Sequence, residues 1–464
     1  MIGHAASPRR VHLVTLGCPK NQVDSEVMLG VLTGRGHEIV LDPAAADTLV
    51  VNTCSFIQAA KEESIDAILD LARAKASAPG SRLVVTGCLA QRYADDLRDA
   101  MPEVDVFLGT GDLLRIADAV EAPPSPGPVV YRGAQHVLPE RELKSRVRTG
   151  AWWTAYVKVS EGCDHTCSFC IIPKIRGRHE SRPMDDVLAE ATGLAAEGVV
   201  ELNLIAQDLT AYGRDRRDGA SLAMLLRALA TRVPGVRWLR LLYAYPSSVT
   251  DELLEVMADE PAVCRYLDMP LQHISDRMLR AMRRERSGAA VRKLLARIRA
   301  AVPGIALRSS FIVGFPGETE ADVDELCAFL DETELDNVGV FTYAREEGTA
   351  DAEYGDHVPE RVKTARRRRE MGVQACVAAR RAAALVGRTV EVLVERAEPR
   401  GRIVGRTAAQ APAIDGVVSL TTATGAPRPA PGDLVKACVT GAEGYDLRAE
   451  ILSPFTFDMP PLRA

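Results

Sequence analysis

Over the first 120 residues, short β-branched apolar runs alternate with stretches of helical periodicity. Val11–Leu16, Thr48–Asn52 and Arg82–Thr86 read as buried strands, with helices such as Asp24–Leu32 and Lys61–Ala74 between them. That rhythm predicts a parallel sheet with helices on its faces. It breaks at Glu121-Ala-Pro-Pro-Ser-Pro-Gly-Pro128 and the charged stretch 139–148, so residues 121–150 are expected to be a linker. Alternation then resumes. Ala155–Ser160, Val200–Ala206, Arg237–Tyr243, Tyr266–Pro270, Ile305–Val313 and Val338–Tyr343 read as strands, separated by helices that include Met184–Ala196, Val291–Ala301 and Glu320–Glu332. Such a series predicts an open (β/α)6 partial TIM barrel. Residues 358–386 predict a long Arg-rich helix, whose run Arg366-Arg-Arg-Arg369 reads as a solvated face. Beyond it the period shortens. Thr389–Val394, Arg402–Thr407, Gly416–Leu420, Asp433–Thr440 and Asp446–Ile451 are short β segments with Gly and Pro between them, which predicts a small five-stranded β-barrel. The expected organisation is α/β throughout its first two parts: a parallel-sheet domain at 9–120, a linker at 121–150, the partial barrel at 151–386 and the small barrel at 387–456.

Composition narrows the function classes. Of 464 residues, 47% are hydrophobic and 26% charged, which suits a folded protein with several cores. No apolar run approaches the roughly 18 residues of a membrane span, and Val11–Leu16 is too short for a signal peptide, so a cytoplasmic protein without membrane association is expected. The net charge of −6 argues against holding nucleic acid by bulk electrostatics. Residues 387–464 carry nine Lys and Arg against nine Asp and Glu, whereas a barrel gripping RNA should be basic. A basic protein partner fits better.

Candidate chemistry comes from the ten cysteines. In a reducing compartment clustered cysteines point to metal or catalysis. Cys163-Asp-His-Thr-Cys167-Ser-Phe-Cys170 places three thiols on one tight loop, directly after a predicted strand and at the mouth of the predicted barrel. Three thiolates can hold three irons of a 4Fe–4S cluster and leave the fourth open to a small molecule. The competing reading is a structural zinc loop with His165 or His179 as fourth ligand, but the paired CxxC motif usual for zinc is absent. Cys18, Cys54 and Cys88 each follow one of the three N-terminal strands by two residues. In a parallel sheet the C-terminal strand ends share one edge, so these three should meet in space, and a second three-cysteine cluster is expected there. Taken singly, each would be an ordinary buried cysteine. Cys264, Cys327, Cys376 and Cys438 have no partner spacing and read as structural.

These features together resemble the radical-SAM methylthiotransferases, over nearly the whole chain. Within that family, Leu16-Gly-Cys-Pro-Lys-Asn-Gln-Val-Asp-Ser-Glu26, Val159-Ser-Glu-Gly-Cys163, Cys170-Ile-Ile-Pro173, Asp268-Met-Pro-Leu-Gln-His273, Phe311-Ile-Val-Gly-Phe-Pro-Gly-Glu-Thr319 and Gly444-Tyr-Asp-Leu447 look like the branch that modifies ribosomal protein uS12. The tRNA branch typically has Gln and Met where this chain has Pro19 and Lys20.

The resemblance implies two 4Fe–4S clusters, on Cys163, Cys167 and Cys170 and on Cys18, Cys54 and Cys88. It implies two molecules of S-adenosyl-L-methionine (SAM), one giving a methyl group and one a 5′-deoxyadenosyl radical, and a TRAM-like C-terminal barrel that recognises the substrate. The substrate would be one aspartate of uS12, methylthiolated at its β-carbon, either free or in the small ribosomal subunit. Flavodoxin or ferredoxin would serve as electron donor. The alternative is a tRNA methylthiotransferase acting on a modified adenosine near the anticodon. Candidate SAM contacts are Phe169, which is otherwise core packing, Gln207 beside Asp208, which are otherwise a turn and helix cap, Arg308 and Ser310 on the fifth core strand, and the turn glycines Gly314 and Gly317, which would let backbone approach the cofactor.

Overall fold

The computed structural model describes residues 8–284, 287–398, 401–423 and 426–452. The predicted linker and the end of the small-barrel segment therefore fall differently: 121–150 is described throughout, and 453–456 lies outside the described residues.

The N-terminal apolar runs form a parallel six-stranded sheet. Its strands are β1 (Arg10–Thr15), β2 (Glu38–Ile39), β3 (Thr48–Thr53), β4 (Arg82–Gly87), β5 (Val106–Leu108) and β6 (Val129–Tyr131), in the order β2-β1-β3-β4-β5-β6. β3 and β4 are buried along their whole length, as strands covered on both faces must be. The first helix, Pro19–Gly34, starts five residues before the apolar periodicity does, because Cys18 takes the extended N-cap conformation and Pro19 suits the first turn. Residues 121–150 do more than connect. They supply β6 to the first sheet and a helix, Glu140–Lys144, that packs on the core helix Met184–Ala196.

The core is β7 (Thr154–Lys158), the short antiparallel pair β8 (Ser160–Glu161) and β9 (Glu180–Ser181), then β10 (Glu201–Ile205), β11 (Trp238–Leu241), β12 (Val263–Asp268), β13 (Ala306–Val313) and β14 (Asn337–Thr342). Its six-stranded parallel sheet runs β14-β13-β12-β11-β10-β7 and does not close. Alternation along the strands gives two faces. Leu202, Leu204, Leu239, Leu241 and Leu267 pack outward against the helical layer. Ile205, Trp238, Cys264, Tyr266 and Ala306 face inward, where they meet Val23 and Val27 of the first helix and Leu393 and Ala411 of the C-terminal barrel. The open half-barrel is thus filled by its two neighbours.

That barrel is closed, with β15 (Thr389–Ala397), β16 (Ile403–Thr407), β17 (Val418–Thr421), β18 (Leu434–Glu443) and β19 (Asp446–Ile451) in the order β15-β16-β17-β19-β18. The helix Glu360–Ala383 joins it to the core, and its arginine run is largely the solvated face expected from sequence, with Arg367, Arg368 and Arg369 exposed and Arg366 turned inward. Arg366 is buried on Glu318 and Glu320, and Arg369 pairs with Asp324.

Inside the half-barrel the buried carboxylate of Glu201 receives Arg240 (3.0 Å) and Arg406 of the small barrel. Burial alone would raise its pKa. The charges of Arg406 and Arg240 outweigh that and hold it down at about 2. Its contribution is complete above the ordinary pKa of 4.5 and fades as pH falls from there toward 2. Glu201→Gln strands the buried Arg240 and leaves Arg406 with Glu395 alone, so urea unfolding should show a loss of about 3–5 kcal/mol at neutral pH. A loss below ~1 kcal/mol, the level of an exposed pair, would refute this joint.

Candidate active site

Each predicted cysteine triad is gathered at the C-terminal edge of its sheet. In the first sheet, Gly17 and Gly87 precede Cys18 and Cys88, and both hold positive φ, +93° and +96°. A Cβ on Gly17 would sit 2.9 Å from Cys54 Cβ, and one on Gly87 would meet Asn52 Oδ1 at 2.3 Å. These positions need glycine because the strand-end loops touch. The Asn21 amide ties those loops together by donating to Leu16 O (2.9 Å) and Thr53 O (3.0 Å). The Ser64 hydroxyl accepts from the Cys54 N–H (3.0 Å) and donates to Cys54 O (2.9 Å). Burial pushes the Cys88 thiol up to about 12, Arg176 pulls the other way, and Cys18 and Cys54 add their own charges.

The second triad occupies the loop after β8. Gly162, at φ +76°, lets that loop pass against Arg178 O, which an added Cβ would meet at 2.0 Å. Cys163 N–H donates to Gly177 O (3.1 Å) and Cys170 N–H to Cys167 O (3.2 Å). Burial pushes the thiols of Cys163 and Cys170 up to about 11 and 12, and the members of the triad act on one another as neighbouring charges. The Arg284 guanidinium lies 3.5 Å from Cys167 Sγ.

The two triads adjoin. Ile171, next to Cys170, packs with Ile175 on Cys88. The helix Ile172–Arg176 begins two residues after Cys170 and ends on a guanidinium 3.4 Å from Cys88 Sγ. Arg176 is further held by Asp24 (2.7 Å) and Asn21 (2.6 Å), and Lys158 bridges Asp24 and Glu161 (2.7 Å). This buried network of two acids and two bases locks the first helix of the N-terminal domain to the strand and loop of the core.

The chemistry of the buried thiols on the Cys163–Cys170 loop fits an iron–sulfur cluster. Buried thiols remain protonated unless a cation compensates the thiolate, which iron does. The histidines of the zinc reading are otherwise engaged. His165 stacks on Tyr245 (3.5 Å between centroids) and bonds Asp208 (2.7 Å), while His179 bonds Ser181 (3.0 Å). Unpartnered buried oxygens lie beside both triads: Asn52 Oδ1, Ser55 Oγ and Thr86 Oγ1 near the first, Ser160 Oγ, Ser168 Oγ and Gln207 Oε1 near the second.

The candidate SAM contacts separate. Gln207 reaches Glu161. Phe169 packs with Met278, Met282, Phe315 and Tyr343. Arg308 and Ser310 share the inner face with Ala306, and the Arg308 guanidinium is clamped by Asp268 (3.0 Å) and Asp415 (3.3 Å). Gly314 and Gly317 both hold positive φ, and a Cβ on Gly314 would strike the Lys363 side chain at 2.3 Å, a close approach within the protein itself. Asp208 caps the turn at Leu209–Ala211, accepting from Thr210 N–H (2.9 Å), as its plainer reading holds. The sequence reading missed Asp24, Lys158, Glu161 and Arg176. Lys158, a lone charge in an otherwise apolar strand, was the available signal.

An open parallel half-barrel with three thiols on the loop after its first strand defines a radical-SAM enzyme. Residues 157–330 match the Radical SAM superfamily, residues 386–452 the TRAM domain, and residues 10–109 the family described as Uncharacterized protein family UPF0004. The chain is 51% identical over 451 residues to the ribosomal protein uS12 methylthiotransferase RimO of Anaeromyxobacter sp. (strain Fw109-5), covering 96% of this chain and 93% of that protein. It is 48% identical over 447 residues to the protein of that name from Geobacter sulfurreducens (96% and 99% covered). The chain belongs to the ribosomal protein uS12 methylthiotransferase (RimO) family. Among solved structures it resembles the radical S-adenosylmethionine methyltransferase TsrM from Kitasatospora setae, with a TM-score of 0.54 at 16% identity over 74% of each chain. At that identity the likeness carries the fold alone. Membership of the superfamily brings one iron–sulfur cluster and SAM. No helix among the described residues is long and apolar enough to cross a membrane.

Proposed function

We propose that this chain methylthiolates the β-carbon of one aspartate of uS12 in the cytoplasm, using two SAM molecules and a sulfur donor, with flavodoxin or ferredoxin supplying electrons. The observation that carries the reading is the adjacency of two thiol triads, Ile171 and Arg176 reaching Cys88 from the loop that holds Cys170. Cys163, Cys167 and Cys170 would hold one 4Fe–4S cluster and Cys18, Cys54 and Cys88 a second. When bound, these clusters and SAM supply a carbon-centred radical, a methyl group and sulfur, chemistry that an unactivated β-carbon requires.

The chain's own part is placement and exclusion of water. Arg284 and Arg176 set positive charge against Cys167 and Cys88, offsetting the thiolates. Phe169, Gln207, Arg308, Ser310, Gly314 and Gly317 would contact SAM, with Arg308 held in place by Asp268 and Asp415 and Gln207 by Glu161. The Asp24–Lys158–Glu161–Arg176 network fixes the separation of the triads. The C-terminal barrel, with balanced charge, would face the basic ribosomal protein rather than a nucleic acid.

The test is an anaerobic reaction of the reconstituted protein with SAM, a reductant and either uS12 or tRNA, read by mass spectrometry. A methylthio adduct on a uS12 aspartate is expected. An adduct on tRNA alone overturns the proposal.

A further inference from the structure

Lys20 lies two residues beyond Cys18, in the first turn of the helix Pro19–Gly34, and is 7% exposed. Other cations buried in this region are matched. Lys158 has Asp24 and Glu161, Arg176 has Asp24, Arg308 has Asp268 and Asp415, and Arg240 and Arg406 share Glu201. The Lys20 ammonium instead sits 2.9 Å from the centroid of the Tyr243 ring, and no carboxylate oxygen of the described residues is paired with it. A buried ammonium against a ring face keeps donors unspent, and such a charge is costly to bury unless an anion meets it.

Its surroundings show where that anion would come from. Tyr243 stands two residues beyond the end of β11, at the C-terminal mouth of the half-barrel that also bears the Cys163–Cys170 loop. Its backbone takes φ +68°, a conformation a bulky residue adopts only when its surroundings impose it. The Tyr243 N–H donates to Asp268 (3.2 Å), whose carboxylate also receives Arg308. The carboxylates whose charge reaches Lys20, those of Asp268 and Glu161, are already engaged by Arg308 and Lys158, the larger attraction comes from the Cys18 thiol, and the ring is held under Lys20. Lys20 thus reaches from the edge bearing one triad onto the mouth bearing the other.

We propose that Lys20 receives the carboxylate of the substrate aspartate and holds that side chain between the two triads. This rests on the uS12 reading above. An ammonium and a carboxylate form a charge-assisted hydrogen bond that an amide side chain cannot match. Lys20 would thereby select aspartate over asparagine at the modified position.

The test uses the full chain, reconstituted anaerobically with iron and sulfide, and measures its affinity for uS12 and for uS12 with the modified aspartate changed to asparagine. The unsubstituted protein should favour the aspartate form by at least about tenfold, as expected of a hydrogen bond to a charged group. Lys20→Gln should bring the two affinities within about twofold, with Lys20→Arg restoring part of the preference. Equal affinities in the unsubstituted protein, or an undiminished preference in Lys20→Gln, would overturn the proposal. So would loss of iron from Lys20→Gln, because the ammonium would then be a partner of the cysteine site. If the unsubstituted protein neither binds nor modifies uS12, the uS12 reading fails first. If it does both and the preference ignores Lys20, this inference alone fails.

Discussion

Cys167→Ala is expected to abolish reductive cleavage of SAM, and with it all methylthiolation. Cys167 is the central thiol of the loop, and the one that Arg284 approaches at 3.5 Å. The loop around it is rigidly placed by the Cys163 and Cys170 N–H bonds and by Ser168, whose N–H donates to Met282 O (3.1 Å) and whose carbonyl accepts from Ala350 N–H (3.0 Å). The substitution removes the proposed ligand and leaves that backbone frame in place. Removing even an outer partner of a metal ligand costs ~10–100-fold, so losing a direct ligand should cost at least about a hundredfold. The check is 5′-deoxyadenosine and methionine formation by the reduced, reconstituted variant. Production near the unsubstituted rate would show that this loop is not where SAM is cleaved.

Cys54→Ala should divide the reaction. Its thiol belongs to the other triad, beside Gly17 and anchored through Ser64, and it touches nothing in the Cys163–Cys170 loop that the structure records. Deoxyadenosine should still form while the methylthio product disappears, a loss again of at least about a hundredfold. Iron content should fall by about half, from two four-iron clusters to one. If the variant methylthiolates uS12 normally, the three N-terminal cysteines are structural.

Much of this was legible in the chain. Strand ends at Leu16, Asn52 and Thr86 placed three distant cysteines on one sheet edge, because parallel strands must end together. The alternation from Ala155 onward carried the half-barrel, and the loss of that period after 387 carried the small one. Less visible was how the parts meet. β6 is three residues long and follows a proline-rich stretch, so its local pattern cannot be told from an extended linker. Arg366 reads as a surface charge until Glu318 and Glu320 surround it. The buried pairs of Asp24 with Lys158 and Arg176 join residues more than a hundred positions apart, and no local period encodes such a pairing. The same holds for Lys20, whose isolation becomes apparent only once the acids around it are seen to be taken.

The proposed reaction needs two three-thiol cages side by side, and an iron count with Mössbauer spectroscopy on oxygen-free reconstituted protein tests for them. About eight irons per chain in two 4Fe–4S clusters are expected, falling to about four in either Cys54→Ala or Cys167→Ala. Zinc in place of iron, or a single cluster that survives in one variant and vanishes in the other, would contradict it.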